Sequence, residues 1–302
     1  MKNKYVLDNY KWVIDSSIDM NFLKGFLKAK MQPHKCIKVP LDEEYQQAIE
    51  EMECIIRRTL PTFNLNTFYN NILDLIFEKK CGKKTRCTAT YFFKENKIIV
   101  YFKAFSKFHE LLHMATSPDD ERSGFYCKGV GVGINEGYTT FLDNIYFSKN
   151  IKANSNLYNL FSKYALLVDL LIGREKMILY YSNASLYDLI IELCNHMEER
   201  HVKMFINALD DIYANYSKGI QTFSKKNIQA NIDYCTSFVI QALDKKYYGT
   251  KDYVYVMNLA FKLLKDDVVL KGNKYKILDM NEELIKNIIN NMNVANKILK
   301  KR

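Results

Sequence analysis

The hydrophobic pattern changes period along the chain, and the changes predict the elements. From Asp42-Glu43-Glu44 onward, Tyr45, Ala48, Ile49, Met52, Ile55 and Ile56 recur at helical spacing. Acidic residues open this segment and Arg57-Arg58 lie near its end, as the helix dipole favours, and Pro61 stops it. A second helix is expected from about Leu65 to Lys79, ending before Gly82. The pattern then changes. Thr88–Phe93 and Lys97–Phe102 are rich in aromatic and β-branched residues and flank the polar turn Lys94-Glu95-Asn96, a β-hairpin signal. After Phe147 the pattern is helical again over Tyr158–Tyr181, Ser185–Tyr216, Lys226–Lys246, Tyr253–Leu264 and Asn281–Lys300, with apolar stripes expected to form core. The sum is an α+β fold, mostly helical, with a short antiparallel sheet or hairpin and a large helical C-terminal region.

Composition narrows the function classes. Hydrophobic residues make up 48% of the 302 positions and charged residues 26%, so a sizeable core is possible and disorder is not the default. The formal net charge of +10 suits nucleic acid or an acidic membrane surface. The lysines are scattered, however, apart from Lys225-Lys226, Lys245-Lys246 and the tail Lys300-Lys301-Arg302, which reads as a solvated basic surface. A nucleic-acid-binding module is a rival that draws on charge alone, because no zinc-finger, RNA-recognition or helix-turn-helix signature is evident. The best apolar run, Tyr164 to Gly173, is short and contains Asp169, so no membrane-spanning segment is expected. The seven cysteines form no Cys-x-x-Cys pair, and no apolar signal core follows Met1. Free thiols and a cytoplasmic location are the expectation.

The chemistry is carried by His109-Glu110-Leu111-Leu112-His113. Residues four apart on an α-helix lie about 40° from each other around the axis, so both imidazoles project from one face and can share a tetrahedral metal. Glu110 sits at the edge of that face, near enough to take a proton from water held there without being a ligand, the position a general base needs. Phe108, Leu111, Leu112 and Ala115 fall mostly away from the histidines and would bury the back of the helix, and Pro118 ends the segment. A catalytic zinc usually takes three protein ligands, and the third candidate is Glu136 in Gly133-Ile134-Asn135-Glu136-Gly137-Tyr138. Asn135 is a good N-cap residue, which would place Glu136 in the first turn of a second helix. On that helix Glu136, Thr139, Thr140 and Asp143 share one face, and Tyr138, Phe141, Leu142, Ile145 and Tyr146 the other.

His-Glu-x-x-His followed by Asn-Glu-Gly-aromatic resembles the gluzincin zinc metallopeptidases, which include thermolysin and aminopeptidase N relatives. The resemblance covers residues from about 88 to 147. It implies a zincin-like pair of site helices, zinc (Zn2+) held by His109, His113 and Glu136, Glu110 as the base, and a peptide or protein substrate. The chain is expected to divide into residues 1–150, a zincin-like catalytic domain with a helical N-terminal part, and residues 151–302, a helical C-terminal domain. The boundary lies in the polar stretch from Ser148-Lys149-Asn150 to Asn154-Ser155-Asn156. Thermolysin-like members carry an acid four residues after the ligand Glu; here that position is Thr140, and Thr140 or Asp143 is left to orient a ligand histidine. No Gly-x-Met-Glu-Asn segment lies upstream, so an aminopeptidase activity is not implied. The donor that stabilises an oxyanion is usually a Tyr or His outside the motif, with Tyr126, His196 and His201 as candidates. A non-catalytic relative, keeping zinc to bind a partner, is the alternative; a retained Glu110 argues against it, since a structural site needs no base.

Other features read as ordinary. Gly129-Val130-Gly131-Val132-Gly133 lacks the spacing of a phosphate-binding loop and is expected to be a flexible connection delivering Asn135 and Glu136. Asp119-Asp120-Glu121 reads as a solvated turn before a calcium site, and Cys127 as an idle thiol before a zinc-blocking thiolate. His196 and His201 are five apart, about 140° around a helix, and are not a metal pair. His34 is expected on the surface.

Overall fold

The computed structural model describes residues 43–79, 89–100, 107–147, 156–217, 224–270, 272–278 and 282–299. Helix α1 (Glu43–Thr59) buries Tyr45, Ala48, Ile49, Met52 and Ile56, the stripe its periodicity marks. Helix α2 (Asn66–Asp74) stops well short of Lys79. Its C-cap, Leu75, turns to extended backbone (φ −62°, ψ 122°), and the chain enters strand β1 (Ile76–Lys79). The expectation of one helix over this whole range is therefore corrected. The cause is tertiary: β1 pairs in parallel with β3 (Lys97–Val100), Phe77 opposite Ile98, and this pairing outweighs local preference. Strand β2 (Ala89–Phe92) pairs antiparallel with β3, Tyr91 opposite Ile98, as the hairpin signal predicts. The sheet order is β1-β3-β2, so β2 is an edge strand among the described residues. Asp42, Thr88, Tyr101 and Phe102, at the ends of the expected elements, lie outside the described residues, as do His34, Cys36, Cys81 and Cys87.

Helix α3 (Lys107–Ala115) carries the histidine motif, and strands β4 (Arg122–Ser123) and β5 (Tyr126–Cys127) form a small antiparallel hairpin after it. Helix α4 (Val132–Leu142) carries Glu136 and continues into one π-helical turn, Asp143–Phe147. The C-terminal region is helical: α5 (Asn156–Ile172), α6 (Arg174–Ser182), α7 (Leu186–Cys194), α8 (Glu199–Ser217), α9 (Lys225–Tyr247), α10 (Tyr253–Leu264) and α11 (Glu282–Leu299). Two segments expected as single long helices are each broken. Gly173 at φ +105° separates α5 from α6, and a turn at 195–198 separates α7 from α8. A hairpin of β6 (Val268–Leu270) and β7 (Asn273–Tyr275), which the periodicity does not mark, precedes α11.

The architecture is thus mostly helical with short strands in small sheets. Buried side chains from Tyr45 to Met292 form one cluster, so α4 is enclosed by core on most sides. Gly133 and Gly137 let its neighbours close in. A Cβ at Gly133 would stand 2.7 Å from the Leu209 backbone on α8, and one at Gly137 would stand 2.5 Å from the Phe161 carbonyl oxygen on α5. Of the polar stretch that marks the expected domain boundary, residues 148–155 lie outside the described residues and Asn156 opens α5. No described helix is long and apolar enough to cross a membrane.

Candidate metal centre

Helix α3 is fixed at its C-terminal end from outside. The Asn71 amide of α2 donates to the Met114 and Ser117 carbonyl oxygens, each at 2.7 Å, filling acceptors that a helix end leaves open. Leu111, Leu112, Met114 and Ala115 are fully buried, and Phe108 stacks on Phe147 with ring centroids 5.2 Å apart. This packing turns His109 and His113 toward α4. Their Nε2 atoms lie 3.2 Å apart. Glu136 Oε2 lies 3.1 Å from His109 Nε2 and 3.5 Å from His113 Nε2. Four-coordinate zinc with ligand atoms at about 2.0–2.1 Å separates them from one another by about 3.3 Å, so these three atoms fit one face of a tetrahedron. They are the only such group of His, Cys, Asp and Glu side chains among the described residues. The three side chains are 15%, 11% and 15% exposed, mostly dry but open to a small ligand.

The charges are strongly coupled. Burial opposes a charge on His109, but the hydrogen bond to Glu136 and the carboxylates of Glu136, Glu110 and Asp143 outweigh it and raise its pKa to about 9. Burial also disfavours the Glu136 carboxylate, yet the two imidazoles hold it well below the usual carboxylate range. Glu110 is raised by burial, opposed by His109 and His113. A cluster that gathers positive charge beside an ionised carboxylate is what a dication would replace.

Glu110 stands outside the triangle of ligand atoms. Its Oε2 accepts from Tyr91 N at 2.7 Å, so the Tyr91 N–H points away from β3 toward α3. Asn135 is not an N-cap, and Glu136 is not in the first turn. Helix α4 begins at Val132, and Asn135 lies inside it, buried. The helix starts early because its first amides find an acceptor elsewhere in the fold, Asp210 on α8. Asn135 Oδ1 accepts from Phe125 N at 2.9 Å, and its Nδ2 faces His113 Nδ1 at 3.4 Å. The glycine run is correspondingly less of a loop than its composition suggests, since Gly133 is already helical.

The shared face of Glu136, Thr139, Thr140 and Asp143 is enclosed, all but Glu136 being buried. Thr139 Oγ1 donates to Asn135 O and lies 2.6 Å from Tyr181 Oη. Thr140 Oγ1 is buried with no hydrogen-bond partner among the described residues. Asp143 acts on His109 through its charge. No family model, curated protein or solved structure matches this chain. The reading of the centre therefore stands on its geometry.

The remaining candidates make contacts of their own. Tyr126 packs on Phe93 with centroids 5.5 Å apart. His201 Nδ1 lies 2.9 Å from Tyr234 Oη, and His196 sits in the α7–α8 turn with its carbonyl accepting from Lys245. Asp119 pairs with Arg122 at 2.6 Å and Glu121 with Lys128 at 2.9 Å, as a solvated turn would. Cys127 is not among the grouped ligands. Sequence reasoning missed Tyr158. On α5, its ring meets His109 edge-on with centroids 5.7 Å apart. Among 22 tyrosines nothing local marks it; only the fold of α5 across α4 brings it there.

Proposed function

We propose that this protein is a zinc-dependent metallopeptidase of the gluzincin type. The observation that carries the reading is the triangle of His109 Nε2, His113 Nε2 and Glu136 Oε2, with edges of 3.1, 3.2 and 3.5 Å and a further carboxylate, Glu110, beside it but not in it. A closed structural site would supply a fourth protein ligand, and none is grouped with these three among the described residues. Bound zinc supplies Lewis acidity, lowering the pKa of water toward neutrality and polarising a carbonyl. Glu110 takes the proton from the attacking water and returns it to the leaving amine. Its raised pKa brings it nearer the working range of a base at neutral pH. The Tyr158 ring packs edge-on against His109, and its hydroxyl is the donor we assign to the developing oxyanion. The substrate class is a peptide, lying along β2, which is an edge strand among the described residues. An extended chain pairs with such an edge through main-chain hydrogen bonds, and the Tyr91 N–H is the group it would compete for.

The test is zinc content together with cleavage of a quenched-fluorescence peptide library. Wild-type protein is expected to hold one zinc and cleave. Glu110→Gln is expected to keep the zinc and lose at least about 100-fold in turnover, and Tyr158→Phe to lose a similar factor with zinc retained. Undiminished cleavage in Glu110→Gln removes the proposed base. A second reading has one observation behind it. The Glu110–Tyr91 hydrogen bond gives the carboxylate a packing role, which a metal-binding protein without hydrolytic activity would also need. Zinc-loaded wild-type protein that cleaves nothing in the library favours that reading.

A further inference from the structure

Helix α4 does not cap its own first turn. Its N-cap is Gly131, at φ +84°, with no side chain to accept a hydrogen bond. The acceptor comes from α8. Asp210 Oδ2 accepts from Gly131 N at 2.7 Å, and Oδ1 accepts from Gly133 N at 2.8 Å. Both oxygens thus serve amides that a helix start leaves unpaired, and a negative charge lies at the positive end of the helix dipole. The approach depends on Gly133, where a Cβ would collide with the backbone of Leu209, the residue before Asp210. Burial raises the Asp210 pKa and the amides of Gly133, Gly131 and Val132 oppose it, so this carboxylate is drawn into the fold and not merely lying on its surface.

We propose that Asp210 is a positioning residue for the metal centre, fixing α4 along its axis from α8 so that Glu136 Oε2 reaches the two imidazoles. The inference rests on the metal-site reading above. Glu136 lies within one turn of Gly133, so the grip acts close to the ligand. The helix rises about 1.5 Å per residue, and a slip of even part of that distance would take a carboxylate out of a triangle whose edges span 3.1 to 3.5 Å. Other ties engage α4 beyond its first two residues, the Thr139 hydroxyl meeting Tyr181 Oη at 2.6 Å among them. Gly137 meets Phe161, Asn135 meets Phe125, and the Tyr138 hydroxyl donates to Asp169 at 3.1 Å. The tie on the amides at the start of the helix comes from Asp210, a residue of the C-terminal helical region.

The test compares full-length wild type with Asp210→Ala, Asp210→Asn and a control, Ser224→Ala. Ser224 caps α9 with its own side chain, accepting from Asn227 N, so its loss weakens a helix start that holds no ligand. Zinc affinity is measured by chelator competition, the coordination geometry by the visible spectrum of the cobalt(II) form, and folding by far-UV circular dichroism and urea midpoint. Asp210→Ala is expected to weaken zinc about 10–100-fold and alter the cobalt bands. Asp210→Asn, which keeps one acceptor, is expected to fall between it and wild type. Ser224→Ala is expected to lower the urea midpoint with wild-type zinc affinity. Folded Asp210 variants with wild-type affinity and spectrum overturn the proposal, as does an equal loss of affinity in Ser224→Ala. Should Asp210→Ala fail to fold, Asp210→Asn decides by the same criteria. Wild-type protein that binds neither zinc nor cobalt overturns the metal-site reading and this inference with it. Metal binding that is indifferent to Asp210 removes the inference alone.

Discussion

Asn135 touches the candidate ligand His113 and a backbone amide at once, and with metal bound the two demands would conflict. Its Oδ1 takes the Phe125 N–H, which leaves Nδ2 facing His113 Nδ1 at 3.4 Å. A histidine that binds metal through Nε2 carries its proton on Nδ1, so two donors meet across that gap. An aspartate in the same place would accept from Phe125 N and from His113 Nδ1–H together, and would add negative charge beside a dication. Asn135→Asp is therefore expected to bind zinc about 10-fold more tightly than wild type in a chelator competition. Equal or weaker binding would show that the amide does not oppose the metal-bound tautomer.

The helices show how much of this could be read in advance and what prevented the rest. The stripe of α1, the hairpin of β2 and β3 and the histidine pair of α3 depend on local period, and local period was enough to find them. The segment from Leu65 to Lys79 was ambiguous, because Ile72, Leu75, Ile76 and Phe77 satisfy either period; pairing with β3, some 20 residues further on, decided it. Glu136 was legible as a neighbour of the two histidines, but the start of its helix was not, because the cap is Asp210 and no local signal reports a partner on another helix. The same applies to Tyr158. In Asn-Glu-Gly, the glycine has its own physical reason: α4 and α5 cross at Gly137, where a Cβ would lie 2.5 Å from a backbone oxygen that cannot turn aside. Gly137→Ala is expected to push the helices apart and lower stability by about 1–3 kcal/mol in urea unfolding. Because Glu136 is the adjacent residue, zinc affinity is expected to fall with it. An alanine variant as stable as wild type would mean that the crossing has slack the geometry does not show.

At the scale of the molecule, the question is whether the metal holds the fold or the fold holds the metal site. The three side chains of the candidate centre come from two helices whose backs are packed into the core. Leu111, Leu112 and Met114 on α3, and Tyr138 and Leu142 on α4, are fully buried. The same core continues through α5, α8 and α9 without a break among the described residues. Further ties hold the pair in place without involving the ligand atoms. Asn71 grips the end of α3, Asp210 the start of α4, and the buried Asp169 carboxylate joins Tyr138 to Arg174, which bonds it at 2.7 and 2.8 Å. A small zinc module, in contrast, has too little core to fold without its ion. Removing metal with a chelator is therefore expected to leave the far-UV circular dichroism unchanged. The unfolding midpoint should drop, because a ligand that binds only the folded state stabilises it by about 2.7 kcal/mol at a free concentration 100 times its Kd. Restoring zinc should restore both the midpoint and any cleavage. Loss of helical signal on metal removal would reverse the assignment, making the ion a structural staple and leaving Glu110 no water to act on.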